Sequence, residues 1–330
     1  MRLLVTGGAG FIGSNFIRYL LSKCREVEIV NLDSLSPSGR LENLLDVKKD
    51  KRHKFIQGNI QDKRVVDGIM RKGVDAMVNF AAESHVDRSI KEAGPFVLTD
   101  VYGTYVLMEA ARKHDVKKIV QISTDEVYGS SMKGSFDESA QLNPSNPYAA
   151  SKASGELIAR SFYKTYNLNV TITRSSNNYG PYQYPEKLVP KLVLRALRNL
   201  PLPLYGTGEQ KRDWIYVLDN CEALRLILEK GKPGEIYNIA AGNEHSNLEI
   251  ARLILRITKR PRKLIRFVAD RPGHDWRYSL DTTKVRQLKW KPKNAFDPGL
   301  RETVEWYRKN EWWWRPLLED DFVSRDTPWQ

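Results

Sequence analysis

Two carboxyl side chains stand side by side, Asp125 and Glu126, in Ser123-Thr-Asp-Glu-Val-Tyr-Gly129, and a tyrosine and a lysine follow four residues apart, Tyr148 and Lys152. Adjacent carboxyls can divide acid and base duties when their surroundings push the two pKa values apart. One then stays protonated as a donor while the other stays ionised as a base. On a helix, residues four apart share a face, so the Lys152 ammonium could hold the Tyr148 phenol below its ordinary pKa and also reach a cofactor ribose. An enzyme that only moves hydride needs one acid or base. The added pair points to a proton leaving carbon together with a departing group.

Oxidation needs a cofactor, and the chain opens with a place for one. Thr6-Gly-Gly-Ala-Gly-Phe-Ile-Gly13 comes directly after the apolar run Leu3 to Thr6 and opens a helix from about Ile12. Gly8, Gly10 and Gly13 satisfy the G-x-G-x-x-G form in the strand-to-helix context that gives it meaning. Missing side chains let the backbone turn tightly and approach a pyrophosphate, whose charge suits the free amides of a helix N-terminus. Asp33 closes the next strand, about 20 residues on, where a carboxylate accepts from ribose hydroxyls and repels a 2′-phosphate. The expectation is NAD rather than NADP, unless nearby Arg40 folds over the ribose.

The elements that must position these residues alternate. Strand-like runs at Leu3 to Thr6, Val27 to Leu32, Phe55 to Gln57, Ala76 to Ala81 and Ile119 to Ser123 are separated by helical stretches. That rhythm predicts an α/β fold, a Rossmann-like doubly wound parallel sheet with a smaller C-terminal substrate-binding lobe. Residues 1–175 form the dinucleotide-binding domain and 176–330 mainly the substrate lobe, with segments near 214–240 returning to the first. The helix after Tyr148 carries Leu157, Ile158, Phe162 and Tyr166 at helical spacing, a stripe that fits either core packing or half of a dimer seam. After Ser175, Pro181, Pro185, Pro190, Pro201 and Pro203 break regular structure, with a short helix from Glu186 to Asn199 between them. Trp214 to Val217 and Glu235 to Ala240 again look like strands. The tail's Trp312, Trp313 and Trp314 are expected to pack onto the body rather than form a contact surface.

At 330 residues and 41% hydrophobic, the chain can bury one large core or two fused ones. The net charge of +13 raises nucleic-acid binding, but the basic residues are dispersed. The denser groups around Lys48 and Lys259 are short, so no nucleic-acid partner is expected, and the positive field suits a phosphorylated small molecule. No apolar run approaches about 18 residues and the N-terminus enters the first strand at once, so neither a membrane span nor a signal peptide is expected, and the cytoplasm is the expected location. Cys24 and Cys221 lack paired spacing and read as reduced, buried thiols. No metal site is expected.

The glycine loop with Tyr148 and Lys152 resembles the extended short-chain dehydrogenase/reductase superfamily. Ala81-Ala-Glu-Ser-His-Val-Asp-Arg-Ser-Ile90, Thr124-Asp-Glu126, Arg174-Ser-Ser-Asn-Asn-Tyr-Gly-Pro181, Pro185-Glu-Lys-Leu188, Gln210-Lys-Arg-Asp-Trp214 and Ala269-Asp-Arg-Pro-Gly-His-Asp275 narrow the resemblance to nucleotide-sugar 4,6-dehydratases. It runs from the first strand to about Tyr307.

That resemblance implies the following chemistry. Tyr148 takes the sugar 4-hydroxyl proton as hydride passes to NAD. Glu126 removes the C5 proton, Asp125 protonates the departing 6-hydroxyl, and hydride returns to C6. The implied reaction is dTDP-glucose to dTDP-4-keto-6-deoxyglucose, a step of deoxysugar and rhamnose biosynthesis, by an enzyme that keeps its cofactor. Thr124 would bond the sugar or the phenol. Gly7, Gly10, Phe11, Ile12, Gly13, Asp33, Ser34, Asn59, Ile60, Ala81, Ala82, Thr99 and Asn178 would join Tyr148 and Lys152 as cofactor contacts. Ser84 and Asn177 would meet the sugar or diphosphate, and Lys187 and Leu188 the nucleotide. Pro203, Leu204 and Tyr205 would lie along the base, while Arg212, Asn247, Arg271 and His274 would grip phosphates and nucleoside. Histidines 53, 85, 114 and 245 are expected to be structural or solvated. Asn59 stands where the resemblance expects Asp, and its amide oxygen can still accept from adenine. The loop Ser34 to Gly39 also departs from the usual Tyr-containing form. A homodimer through helices after about Thr99 and Tyr148 is implied. The competing readings are a dehydratase for UDP- or CDP-glucose, a 4-epimerase, and a cofactor-binding regulator without chemistry.

Overall fold

The computed structural model describes residues 1–329. Seven strands form one parallel sheet: β1 (Arg2–Thr6), β2 (Glu28–Asp33), β3 (His53–Gln57), β4 (Ala76–Asn79), β5 (Lys118–Thr124), β6 (Val170–Ser175) and, after three strands of the smaller lobe, β10 (Ile236–Ile239). Their order is β10-β6-β5-β4-β1-β2-β3. The chain runs outward from β1 through β2 to β3, then restarts on the other side of β1 with β4. That reversal leaves a crevice beyond the C-terminal ends of β1 and β4, where ligands bind in open α/β sheets. Burial on both faces explains why β1 and β4 read as unbroken apolar runs rather than alternating ones.

Helices cover the sheet on both sides. Phe11–Lys23 and Val217–Lys230 pack one face, burying Phe16, Ile17, Leu20, Leu224 and Ile227 against Leu3, Val5 and Val78. Thr104–Lys113 and Pro147–Tyr166 cover the other, with Leu107, Ala111 and Phe162 against Leu4, Met77 and Ile119. Asn146 caps the Tyr148 helix by accepting from the Ala149 amide at 2.9 Å, and Pro147 starts it. A π-helical segment, Val97–Gly103, packs alongside.

The smaller lobe holds β7 (Asn177–Tyr179), β9 (Lys211–Tyr216) and β11 (Glu244–Ser246) in a three-stranded sheet, and β8 (Leu202–Tyr205) paired with β12 (Ile265–Val268). Of the two late strand-like runs, Ile236–Ile239 pairs with β6 at the edge of the large sheet, whereas Lys211–Tyr216 stays in the three-stranded sheet. Leu188–Leu197, Asn247–Ile257 and Phe296–Lys309 enclose this lobe's core together with Trp313 and Trp314. Trp313 is fully buried and Trp314 nearly so, while Trp312 is exposed. The tail is therefore packed onto the body. Cys221 is buried and free; Cys24 is only partly buried, which corrects the expectation for that thiol. Among the described residues no helix is long and apolar enough to cross a membrane.

Candidate active site

One cleft of about 500 Å³ runs from the glycine loop past the acid pair to Lys187. At its cofactor end Gly7 has φ +68°, and a Cβ there would stand 2.5 Å from the Ala81 amide nitrogen. A Cβ on Gly13 would stand 2.4 Å from the Gly7 carbonyl. Both positions exclude a side chain. Gly8 differs from its expected part, because it does not line the cleft and a Cβ there would meet the Asn31 side chain at 2.3 Å. Gly10 begins Phe11–Lys23 without a side-chain cap, so the first amides of that helix remain available to an anion.

Asp33 accepts from the Ala9 amide at 2.8 Å and the Leu35 amide at 2.9 Å. Burial nevertheless raises its pKa, with those two bonds opposing. Arg40 does not fold over the ribose position: its guanidinium pairs with Glu42 and donates to the Trp313 carbonyl at 3.3 Å. Asn59 accepts from the Gln61 amide at 2.9 Å, and Gln61 donates to Thr99 at 3.0 Å. Phe11, Ile12, Ser34, Ile60, Ala81 and Ala82 complete this lining, with Asn178 across the cleft. The Asn177 and Asn178 side-chain oxygens are buried without a hydrogen-bond partner. Such orphaned acceptors normally face a ligand or water. A cradle no Cβ could share, an uncapped helix start and a carboxylate at the ribose position fit a dinucleotide such as NAD.

At the reacting end Thr124 donates to Asp125 at 3.2 Å and accepts from the Glu126 amide at 3.3 Å. Asp125 is 3% exposed and its Oδ2 has no partner. Burial first, then the charge of Glu126, pushes its carboxyl well above the usual range. Glu126 is more open and lies 3.5 Å from the Tyr278 hydroxyl. The two neighbours thus differ as an acid and a base should.

Tyr148 departs from expectation. Burial, then Glu126 and Asp100, raises its phenol well above the ordinary value, with the Thr124 hydrogen bond acting the other way. Lys152 lies one turn further along the same helix. Its Nζ donates to the Ile122 carbonyl at 2.8 Å, and burial lowers its own pKa against the charges of Asp100 and Glu156. Tyr148 can take up a proton only after losing its own, and ionising so raised a phenol needs further positive charge beside it.

Ser84, Asn177 and Lys187 line the same cleft, and Lys187 donates to the Ser84 carbonyl. The other eight residues expected at the substrate lie outside its lining. Leu188 and Leu204 pack into the small lobe's core, and Pro203 and Asn247 are buried. Arg212 donates to the Lys211 and Asp275 carbonyls at 2.7 and 2.8 Å while its guanidinium sits 4.1 Å from the Tyr278 ring. Arg271, Tyr205 and His274 gather around Asp87. Arg271 pairs with it at 3.2 Å, the Tyr205 hydroxyl donates to it at 3.0 Å, and the His274 ring lies 6.1 Å from that of Tyr205. His274 bonds Asp270 at 2.6 Å, and burial lowers its pKa to about 4.

Three residues were missed from the sequence. Tyr278 and Asp275, joined at 2.6 Å, stand behind Glu126, and only their place in and just after the Ala269 to Asp275 segment signalled them. Asp100 lies behind Tyr148 and Lys152, accepting from the Glu83 amide at 2.9 Å and from Ser151 at 2.6 Å. No motif marked it.

Residues 4–303 match the model of a family described as GDP-mannose 4,6 dehydratase. The dTDP-glucose 4,6-dehydratase of Streptomyces niveus is 48% identical over 326 residues, 97% of each chain. The low-salt glycan biosynthesis protein Agl12 of Haloferax volcanii is 49% identical over 307 residues, 93% of this chain and 98% of its own. Among solved structures, DesIV, a dTDP-glucose 4,6-dehydratase from Streptomyces venezuelae with NAD and thymidine diphosphate bound, superposes with a TM-score of 0.95 at 49% identity, covering 96% of this chain and all of that one.

Proposed function

We infer the function from the premise that the chain belongs to the GDP-mannose 4,6-dehydratase family: it is an NAD-dependent hydro-lyase that converts dTDP-glucose to dTDP-4-keto-6-deoxyglucose and water. The observation that carries this reading is the buried, half-unpartnered Asp125 beside the more open Glu126, both in the cleft that holds Tyr148 and the glycine loop. A 4-epimerase needs no such pair.

When bound, NAD would supply a positively charged nicotinamide and a reversible hydride acceptor for the oxidation at C4 and the reduction at C6. The protein does the rest. Gly7, Gly10 and Gly13 seat the pyrophosphate, Asp33 the ribose, and Asn59 and Ile60 the adenine. Tyr148 accepts the 4-hydroxyl proton. The resulting 4-ketone acidifies the proton on C5, which passes to the Glu126 carboxylate. Asp125, kept protonated by burial, gives its proton to the 6-hydroxyl, which leaves as water. Glu126 then returns its proton to C5, and the proton taken up by Tyr148 passes through solvent to Asp125, which restores the starting state. The cofactor ends as it began, so the enzyme retains it between turnovers.

Val97, Leu98, Tyr102, Leu157 and Tyr166 leave large apolar surfaces exposed on two neighbouring elements. Such a patch is what a partner subunit would cover, and it supports a homodimer. The cytoplasm, and a place in supplying deoxysugars such as rhamnose, complete the reading.

Mass spectrometry after incubation with dTDP-glucose and, separately, UDP-glucose, without added NAD, tests it. Loss of water from the dTDP sugar with UDP-glucose lagging is the expected result. Unchanged mass with both, even after NAD is added, would overturn it.

A further inference from the structure

Tyr184 and Lys187 line the cleft, whereas Tyr205, Arg271 and Trp329 do not, yet a nucleotide sugar has further groups to place. Sugar, two phosphates and nucleoside follow in fixed order, so what lies beyond Lys187 decides where the nucleoside rests. Lys187 and Arg271 are each within electrostatic reach of the Glu126 carboxylate. The Arg271 side chain is 15% exposed, and its buried Nε has no partner. Two cations with a donor to spare suit a diphosphate. Asp87 ties Arg271 to the Tyr205 hydroxyl. Against the Tyr205 ring, at 80° and 4.5 Å between centroids, stands the indole of Trp329.

Trp329 follows the short helix Asp321–Ser324. The stretch from Asp320 to Asp326 is held by the rest of the protein. Arg88 and Tyr184 hold Asp320 at 2.7 and 3.0 Å. Lys191 donates to the Phe322 and Arg325 carbonyls at 3.2 and 2.6 Å. Arg195 donates to the Ser324 carbonyl at 2.7 Å and pairs with Asp326 at 2.6 Å. Pro328 is buried, while Trp329 stays partly open. Lys191 and Arg195 belong to Leu188–Leu197, the helix that begins directly after Lys187. The element that follows the phosphate-side lysine therefore also fixes the course of the tail.

We propose that Trp329 is a specificity-determining residue, its indole forming with the Tyr205 ring an aromatic corner that receives the substrate's base. This deepens the proposed function and rests on its nucleoside-diphosphate sugar. The tethers place a partly open indole beside a tyrosine in a group of carboxylate, cations and rings. Trp313, by contrast, is fully buried in the lobe's core.

Trp329→Ala, Trp329→Phe and the unaltered enzyme are compared in steady-state kinetics with dTDP-glucose and in calorimetric titration with dTDP. Base–aromatic contacts predict roughly a tenfold rise in both KM and the dTDP dissociation constant for the alanine variant. Because Trp329 is remote from the reacting carbons, kcat stays within about twofold. NAD content and melting temperature are unchanged, and phenylalanine restores most of the affinity. An alanine variant with unaltered KM and dTDP affinity overturns the proposal. So does one that binds dTDP more tightly, which would make Trp329 a plug. An unaltered enzyme that neither binds dTDP nor turns over dTDP-glucose sinks the functional reading instead, and the two failures are thereby distinct.

Discussion

Asp125 and Glu126 are neighbours in sequence with opposite surroundings, and a carboxyl's role is set by surroundings rather than by type. Asp125 has one oxygen on Thr124 and one on nothing; ionising it would strand a charge in a buried site already facing Glu126. Glu126 has the Tyr278 hydroxyl beside it and more solvent. Glu126→Gln keeps the shape and removes the base. The variant should still oxidise C4, so reduced nicotinamide accumulates on the enzyme, while release of dehydrated product falls by about 10²- to 10⁴-fold. Stopped-flow absorbance with quenched mass spectrometry checks this; dehydration at the unaltered rate would falsify the assignment of the base. The pair was legible from the sequence because adjacency is local. Tyr278, 152 residues away, was not, and neither was the direction of the Tyr148 shift. Four-residue spacing placed Lys152 one helical turn from Tyr148, but could not show the bond from its ammonium to the Ile122 carbonyl.

Between the site and the fold lies the π-helical segment Val97–Gly103, which carries Asp100 against the Tyr148 helix. Lys152 and Ser151 face this carboxyl from that helix, and Glu83 from the loop after β4. Burial dominates, raising the Asp100 pKa from 3.8 to about 7 despite Lys152. Between those values the folded chain holds a proton that the unfolded chain has lost. The linked contribution to stability is therefore complete below pH 3.8 and is lost as pH rises through about 7. Asp100→Asn keeps an acceptor for the Glu83 amide and removes the titration. Its melting temperature should fall less than that of the unaltered protein between about pH 5 and about pH 8; parallel melting curves would exclude Asp100 as a source of that slope. Elements of this kind explain what the sequence could show. The cofactor half is built from strand–turn–helix units whose signals lie within about 30 residues. The cluster of Asp87, Tyr205, Arg271 and Trp329, by contrast, is brought together only by long-range packing. The late strand Ile236–Ile239 was legible as a strand, and its partner was not, because pairing with β6 depends on the helix Val217–Lys230 crossing the sheet first.

At the scale of the molecule, the stripe on the Tyr148 helix resolves into two uses. Phe162 points into the core beside Leu107 and Ala111, while Leu157 and Tyr166 are 52% and 50% exposed. The adjoining π-helical segment exposes Val97, Leu98 and Tyr102. Single exposed apolar residues need no explanation, but five on two packed elements form a patch of the kind a second subunit covers. Leu98 also lines the cleft, so a partner seated there would brace the wall that carries Thr99 and, behind it, Asp100. Fully burying a leucine side chain is worth about 1.5 to 3 kcal/mol, and placing an ionised carboxylate there instead adds a desolvation cost. Leu157→Glu is solvent-facing within the subunit and should leave each fold intact. Light scattering after gel filtration should then show the dimer of the unaltered protein dissociating to monomer at micromolar concentration, with activity falling as the monomer fraction rises. A Leu157→Glu protein that stays dimeric, or an unaltered protein that is already monomeric, would move the subunit contact away from these two elements and leave the exposed patch without a partner.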